Sequence, residues 1–273
     1  MTFAGITEIV WHEKIAPDHY LMRVLAPEIA KKAKPGQFVH VLPGSTMDPL
    51  LRRPISLHGI DPAKGTISLL YRVVGRGTRM MSEMPVGGAV DIMGPLGKGF
   101  DIPDKISKVL VVGGGIGVAP LLSLLQALRH YNIDTTVLLG AATGDYLLGV
   151  RQIEALGLKA EAATDDGTYG YKGFVTDLVS RQLTGQKPDY FYACGPNPML
   201  SKLTKMMTGA GIPGQVSLEE RMGCGVGACL ACVCKVKVAG APQQGSGAAP
   251  QFDYKKVCAD GPVFAASEVI FDE

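Results

Sequence analysis

The sequence predicts a multi-domain protein in which an antiparallel β-barrel is followed by a doubly wound α/β sheet and a small C-terminal lobe. Residues up to about 100 alternate short apolar runs with turn residues, whereas residues 101–218 alternate strands with helices. Four cysteines then fall within eleven residues, from Cys224 to Cys234. At about 150 residues per domain, 273 residues predict roughly two domains of ordinary size. We therefore expect units at 1–100, 101–218 and 219–273.

The composition describes a turn-rich globular protein. Gly and Pro make up 35 and 18 of 273 residues, about 19% together against an average of about 12%, and they follow no collagen period. A hydrophobic fraction of 47% excludes a disordered chain. The net charge of +2 comes from 27 basic and 25 acidic residues without a long basic run, so we expect no nucleic-acid partner.

Cysteine usage and the first residues indicate a reducing, cytoplasmic setting. Cysteines this close in sequence are poor disulfide partners but good metal ligands. No basic segment followed by an apolar one precedes Glu13 and Lys14, so we predict no secretory signal. Residues 109–128 carry no charge and are long enough for a membrane span. Their glycines and Pro120 favour instead a strand, a turn and a helix in a soluble fold.

The first hundred residues predict six strands without intervening long helices, which favours an antiparallel barrel. Turn pairs such as Pro-Gly and Gly-Gly separate the apolar runs. A short helix is expected after Gly77 and Thr78, with Met80 and Met81 packed in the core. The strands are predicted at 5–14, 20–25, 37–42, 55–60, 66–74 and 89–93.

From residue 101, alternating strands and helices predict a parallel sheet with helices on both faces. The strands are predicted at 109–112, 135–139, 159–163, 189–193 and 215–218. The helices are predicted up to residue 130 and at 147–156, 175–182 and 198–208. Beyond the clustered cysteines, the composition of residues 239–250 predicts a flexible stretch.

The cysteines give the most specific signal. Cys224, Cys229 and Cys232, with Cys258 downstream, have the C-x4-C-x2-C…C spacing of a plant-type [2Fe–2S] site. Zinc is the competing metal because four thiolates also suit a structural zinc ion, but the paired knuckles of zinc ribbons are missing. Cys234 lies too close to Cys232 to share one geometry easily, and we interpret it as a spare thiol.

A glycine run after the first strand of the second unit predicts a pyrophosphate site. Glycines let backbone N–H groups approach phosphate, and a helix N-terminus favours negative charge. Later, Cys194 ends the fourth strand at the sheet edge where such folds bind ligands, and it is either a residue facing nicotinamide or a buried small apolar residue. The candidate residues are Gly113, Gly114, Gly115, Gly117, Cys194, Gly195 and Pro196.

Charge favours NAD over NADP. A 2′-phosphate needs cations, whereas the NAD ribose tolerates an acid. The segment from Gly140 to Asp145 contains no arginine, and Asp165 and Asp166 end the third strand of this unit. Those two aspartates are also compatible with a solvated turn.

Arginines in the barrel predict a flavin site. Arg53 precedes Ser56 by three residues at a strand start, and Arg72 and the turn at Gly77-Thr78 lie farther along. Arginine presents forked donors to a pyrophosphate, and a turn entering a helix adds backbone donors. Each alone is an ordinary surface feature, but their coincidence before a nicotinamide unit favours FAD.

Together these residues resemble the ferredoxin–NADP reductase superfamily and, within it, the electron transfer subunits of dihydroorotate dehydrogenase B. The resemblance covers essentially the whole chain and is most specific at 53–56, 113–120, 220–224 and 257–264. It implies an FAD barrel, an NAD domain and a [2Fe–2S] lobe ligated by the four cysteines named above. The FAD contacts it implies are Arg53, Pro54, Ile55, Ser56, Leu70, Tyr71, Arg72, Gly77 and Thr78, with Ser56 near the reactive flavin edge.

The resemblance also implies a role and a partner. A separate FMN-containing dihydroorotate dehydrogenase catalytic subunit would oxidise dihydroorotate in pyrimidine biosynthesis, in a heterotetramer with this chain. Electrons would pass through the [2Fe–2S] cluster and FAD to NAD+. The chain then needs no catalytic base and is not expected to oxidise dihydroorotate alone.

Two alternatives remain open from the sequence. Within the superfamily, the chain could be an NAD(P)H reductase subunit that serves ferredoxin, sulfide or hydrogenase. In a different class, it could be a flavin-free zinc and regulatory binding module.

Overall fold

The first six strands close into the predicted antiparallel barrel. The computed structural model describes residues 2–44, 48–238 and 252–271. Around the barrel the order is β1-β2-β5-β4-β3-β6, and every neighbouring pair is antiparallel. The strands are β1 (Phe3–Ala16), β2 (His19–Leu25), β3 (Phe38–Leu42), β4 (Arg53–Asp61), β5 (Thr66–Arg72) and β6 (Ala89–Leu96).

Alternating apolar side chains fill the barrel. Met22 and Val24 on β2 and Leu57 on β4 are fully buried, as expected where every second residue of a strand faces the core. Two short helices accompany the barrel, α1 (Pro27–Ala30) and α2 (Arg76–Ser82). Met81 on α2 packs into this core as predicted, whereas Met80 is half-buried.

The second unit is the predicted doubly wound sheet. The parallel strands lie in the order β10-β9-β8-β7-β11-β12. Strands β8 to β10 are therefore added on one side of β7, and β11 and β12 on the other. The strands are β7 (Lys108–Gly114), β8 (Asp134–Ala141), β9 (Ala160–Thr164), β10 (Tyr171–Lys172), β11 (Tyr190–Cys194) and β12 (Gly214–Ser217). The helices are α3 (Leu121–His130), α4 (Val150–Ala155), α5 (Val175–Thr184) and α6 (Asn197–Gly209).

The uncharged stretch at 109–128 divides as the glycines indicate. It holds most of β7, a single 3-10 turn at Gly115–Val118, and the first two turns of α3. Within the described ranges, no helix has the length and apolar character needed to cross a membrane.

The tail adds three strands that the sequence did not predict. β13 (Val233–Lys237) and β14 (Phe252–Lys256) form an antiparallel pair. β15 (Val263–Ala265) pairs antiparallel with β12 and completes the second sheet. The C-terminal lobe is therefore joined to the sheet by backbone hydrogen bonds. The predicted flexible stretch at 239–250 lies outside the described residues.

Candidate functional site

A cavity of about 380 Å³ opens between the barrel and the glycine turn of the second sheet. Its barrel wall is formed by β4, β5 and the start of α2, and Ile116 and Ala119 close it from the other side. Of the nine residues predicted for FAD, eight line this cavity: Arg53, Pro54, Ile55, Ser56, Leu70, Tyr71, Arg72 and Thr78.

Gly77, the ninth, lies behind the Arg53 side chain. A Cβ built on Gly77 would come within 2.3 Å of Arg53 Nε, so a larger residue would displace the guanidinium. The Arg53 Nη1 donates to the carbonyl oxygen of Leu51, which holds the side chain at the cavity wall.

The Thr78 hydroxyl organises its own loop. Its oxygen accepts hydrogen bonds from the N–H groups of Val74 (3.0 Å) and Gly75 (3.2 Å) and donates to the Gly75 carbonyl (3.1 Å). Because both lone pairs and the proton are engaged, Thr78 shapes the turn entering α2.

The opposite wall contains acidic residues that the sequence reasoning did not assign to a flavin site. Leu218, Glu219, Glu220 and Met222, just after β12, line the cavity. Glu219 faces this open space, and the protein around it raises the pKa of its carboxyl group through desolvation. The available signal was its position at the carboxyl end of a parallel strand, where ligands bind in such sheets.

A wider cavity of about 780 Å³ adjoins the first and shares Arg53, Pro54 and the acidic wall with it. Leu50 and Leu51 lie on its rim and are 66% and 53% exposed. The first cavity therefore opens onto a partly apolar surface.

A third cavity, of about 480 Å³, lies at the carboxyl edge of the sheet next to the glycine turn. Three of the seven residues predicted for the nicotinamide nucleotide, Gly114, Gly115 and Pro196, line it. Beside them stand Asp165 and Lys202, with no arginine among the lining residues. Lys202, which the sequence reasoning missed, has its Nζ 3.7 Å from Oδ1 of Asp177.

The other four predicted residues, Gly113, Gly117, Cys194 and Gly195, pack behind the cavity. A Cβ on Gly117 would lie 2.4 Å from the Cys194 carbonyl oxygen, so only glycine lets the turn approach β11 this closely. Cys194 is 1% exposed in the core, and burial raises the pKa of its thiol, with a smaller contribution from Glu219.

Backbone N–H groups point at the sulfur atoms of three of the four predicted cluster cysteines. Cys224 Sγ accepts from the N–H groups of Val226 (3.5 Å), Ala228 (3.3 Å) and Cys229 (3.4 Å). The Gly227 N–H donates to Cys258 Sγ (3.2 Å), and the Cys258 N–H donates to Cys232 Sγ (3.4 Å). Positive φ angles at Gly225, Gly227 and Leu230 give the loop this shape.

The pKa values of these thiols shift in opposite directions. The Val226 N–H, followed by those of its neighbours, lowers the pKa of Cys224 to about 6. Burial, together with the adjacent Cys232, raises the pKa of Cys258 to about 12. Bound cations would favour the thiolate form of all four.

The donor set fits a two-iron cluster. In the described part of the chain, no three His, Cys, Asp or Glu side chains converge on a single metal position. A [2Fe–2S] cluster is held by four thiolates shared between two irons and is tuned by N–H groups directed at sulfur, which is the pattern of this loop. Cys234 lies half-buried on β13, where burial, followed by the charge of Glu220, raises the pKa of its thiol to about 11.

Two family models match parts of the chain. Residues 219–270 match the iron-sulfur cluster binding domain of dihydroorotate dehydrogenase B, and residues 111–205 match the oxidoreductase NAD-binding domain. The dihydroorotate dehydrogenase B (NAD+) electron transfer subunit of Desulforamulus reducens is 45% identical over 258 residues, which cover 94% of this chain and 95% of that protein. The subunit of the same name from Geobacillus thermodenitrificans is 44% identical over 264 residues, covering 96% of each.

Solved structures show the same architecture. A structure of an NADH-dependent reduced ferredoxin-NADP oxidoreductase, studied for flavin-based electron bifurcation, superposes with a TM-score of 0.83 at 33% identity, covering 97% of this chain and 90% of its own. A ferredoxin reductase of carbazole 1,9a-dioxygenase has a TM-score of 0.66 at 23% identity over 77% of this chain and 67% of its own, which reflects the fold alone.

Proposed function

The chain belongs to the family of dihydroorotate dehydrogenase B electron transfer subunits, and from that membership we propose that it carries electrons from a separate dihydroorotate-oxidising subunit to NAD+. One observation carries the proposal beyond the family name. The cavity of about 380 Å³, which we call the flavin cavity, is bounded by the glycine turn of the nicotinamide site. It is also bounded by Met222, two residues before the first cluster cysteine. A ring bound there lies between the two other sites.

In this proposal FAD supplies the link between one-electron and two-electron chemistry, since a cluster moves single electrons and nicotinamide accepts a hydride. Arg53 and Arg72 supply the positive charge that holds its pyrophosphate. Ser56 would lie near the reactive edge of the ring, and Tyr71 would help to hold the rest of FAD. Pro54, Ile55 and Leu70 form the apolar floor, and Gly77 leaves room for the Arg53 side chain.

The nicotinamide nucleotide is held by the sheet edge. Gly114 and Gly115 bring backbone N–H groups to its pyrophosphate, and Gly113 and Gly117, which pack behind them, hold the turn against β11. Pro196 forms the opposite side of the crevice, and Cys194 and Gly195 support it from behind. Asp165 on the cavity wall favours the free ribose hydroxyls of NAD+ over the phosphate of NADP+.

Cys224, Cys229, Cys232 and Cys258 bind the [2Fe–2S] cluster. Cys229 is exposed, and beside it Val226 and Leu230 are 56% and 62% exposed. Apolar side chains around an accessible cluster ligand suit a protein partner that approaches closely enough for electron transfer. That partner is an FMN-containing dihydroorotate dehydrogenase catalytic subunit, and the assembly is a cytoplasmic heterotetramer.

The test is reconstitution. The purified chain, loaded with FAD and cluster, should oxidise NADH with an artificial acceptor but form no orotate from dihydroorotate and NAD+. Adding the catalytic subunit should restore orotate formation, and the two proteins should copurify. Orotate formation by the chain alone would contradict the division of labour.

The 33% identity to a ferredoxin-NADP oxidoreductase structure over nearly the whole chain favours a second candidate, a reductase subunit for ferredoxin. The two candidate functions differ in the protein that donates electrons to this chain. Under the second function, reduced ferredoxin, and not a dihydroorotate-oxidising subunit, would support reduction of NAD+ or NADP+.

A further inference from the structure

His40, in the middle of β3, is a buried polar residue whose ring nitrogens have no partner. Its exposure is 0%, and neither Nδ1 nor Nε2 makes a hydrogen bond within the described part of the protein. Burial, with a smaller effect of Arg52, lowers the pKa of the imidazole to about 4. The ring is therefore neutral near pH 7 and carries one N–H donor. Buried polar groups in native proteins are nearly always paired, so this ring calls for an explanation.

The ring faces the cluster loop. A Cβ built on Gly225 would lie 2.7 Å from His40 Cε1, 2.8 Å from Nδ1 and 3.0 Å from Nε2. The edge of the imidazole that carries both nitrogens is thus directed at the backbone next to Cys224. Gly225 has φ +71°, and the absence of a side chain at this position lets the ring approach.

His40 also adjoins the flavin side of the molecule. It is opposite Pro54, a residue of the flavin cavity, in the β3–β4 pairing. Its ring lies 5.8 Å from that of Phe38, which lines the same cavity. The imidazole therefore occupies the position where the barrel meets the loop of the first cluster ligand.

We propose that His40 donates a hydrogen bond to an inorganic sulfide of the bound cluster, since no cysteine sulfur in the described ranges is a partner of its ring nitrogens, and so raises the reduction potential of the cluster. The inference rests on the proposed [2Fe–2S] function, because the described residues of the chain offer this N–H no acceptor. Sulfur atoms of a bound cluster are acceptors, and hydrogen bonds to them are one of the determinants of potential. The donor stabilises the reduced form, which carries the more negative charge. His40 is thus a positioning residue and takes no electron itself.

The test compares the cluster potential of the full chain, loaded with FAD and cluster, in wild type, His40→Leu, His40→Asn and His40→Gln. Asn places an amide donor near the position of Nδ1, and Gln places one near Nε2. We expect His40→Leu to shift the one-electron equilibrium about tenfold toward the oxidised cluster, a potential about 59 mV more negative. One of the two amide variants should recover most of the shift.

His58→Leu is the matched control. It removes another buried histidine of the same barrel, one whose Nδ1 is 3.0 Å from the Ala119 carbonyl oxygen and not beside the cluster loop. The cluster potential should stay at the wild-type value. An equal shift in His58→Leu and His40→Leu would overturn the proposal, since loss of packing would then explain both.

A second measurement does not depend on variants that fold. Wild-type protein labelled with 15N-histidine should show a weak nitrogen coupling to the reduced cluster in pulsed electron paramagnetic resonance. A full complement of iron and sulfide without this coupling, or with an unchanged potential in His40→Leu, overturns the role of His40 alone. A wild-type protein that holds no iron overturns the proposed function as well.

Discussion

The hydroxyl of Tyr71 donates a hydrogen bond to Nε2 of His12 across 2.8 Å. The direction follows from the other nitrogen, because His12 Nδ1 lies 2.8 Å from the Met84 carbonyl oxygen and a carbonyl can only accept. A neutral His12 ring therefore carries its proton on Nδ1 and accepts at Nε2. Tyr71, which is 2% exposed and lines the flavin cavity, is fixed in orientation by a residue outside that cavity.

This relationship predicts unequal costs for the two partners. His12→Leu should lower the free energy of unfolding by about 1–3 kcal/mol, because it leaves the Tyr71 hydroxyl and the Met84 carbonyl without partners. Tyr71→Phe should cost only about 1 kcal/mol, since His12 is half-buried and its Nε2 can bond water. Urea denaturation of the full chain, including the double variant, measures both. Additive costs, within about 0.5 kcal/mol, would mean that the two residues are not coupled.

Arg52 and Arg53 are adjacent in sequence, but we expect Arg53 to affect FAD binding and Arg52 to affect stability. Arg53 lines the flavin cavity, whereas Arg52 is held by Asp91 through Nη2 to Oδ2 at 2.8 Å and Nη1 to the backbone carbonyl at 3.3 Å. Arg53→Gln should raise the FAD dissociation constant about 10- to 100-fold, equivalent to about 1.4–2.8 kcal/mol. Arg52→Gln should leave it within about threefold and lower the melting temperature. Flavin fluorescence titration of the apoprotein gives the affinities, and equal losses in both variants would contradict this assignment.

The close packing of the glycine turn against β11 fixes the position of the turn in the nicotinamide site. Gly117→Ala should raise the KM for NADH at least tenfold in dye-linked oxidation, because the new methyl group would meet the Cys194 carbonyl at 2.4 Å. Gly209→Ala, at the end of α6, is the control, since a Cβ there meets nothing within 4 Å. A wild-type KM in Gly117→Ala would show that the turn does not position the nucleotide.

Periodicity predicted the long elements because their burial repeats along the chain. The alternation on β2 and the strand–helix series from β7 to β12 each extend over enough residues to give a clear signal. β15 contains three residues, too few for a period, and its pairing with β12 depends on contacts across the sequence. Short strands formed by the tail are therefore beyond local pattern analysis.

In the candidate site too, local sequence patterns predicted some residues and could not predict others. Cysteine spacing and the turn sequence at 256–264 made Cys258 the candidate for the fourth ligand, across an intervening stretch of 25 residues after Cys232. Glu219 and Lys202 were not identified, since a single charged residue after a strand or on a helix is usually solvated. His40 was equally invisible, because only the folded barrel brings it beside Gly225.

Cys258 and Cys234 test the ligand assignment directly. Cys258→Ser should lose most iron, acid-labile sulfide and cluster absorbance, since it removes a thiolate in contact with the Gly227 N–H. Cys234→Ser, on β13, should retain all three. Metal and sulfide analysis of anaerobically purified protein measures the difference. Iron loss in Cys234→Ser with retention in Cys258→Ser would exchange their roles.

His58 predicts a loss of stability on mild acidification. Its side chain is 1% exposed with Nδ1 near the Ala119 carbonyl, and burial lowers its pKa from 6.5 to about 4. Between pH 6.5 and about pH 4, this histidine binds a proton in the unfolded chain but not in the folded chain. The free energy of unfolding therefore falls as the pH drops through this range.

The slope is about 1.4 kcal/mol per pH unit, so between pH 7 and pH 5 wild type should lose about 2 kcal/mol more than His58→Gln. Ser123→Ala, which removes a 3.2 Å hydrogen bond to the Leu57 carbonyl, should reduce stability equally at both values because it does not titrate. Chemical denaturation at pH 7 and pH 5 compares the three proteins. Parallel losses in wild type and His58→Gln would show that other groups set the acid response.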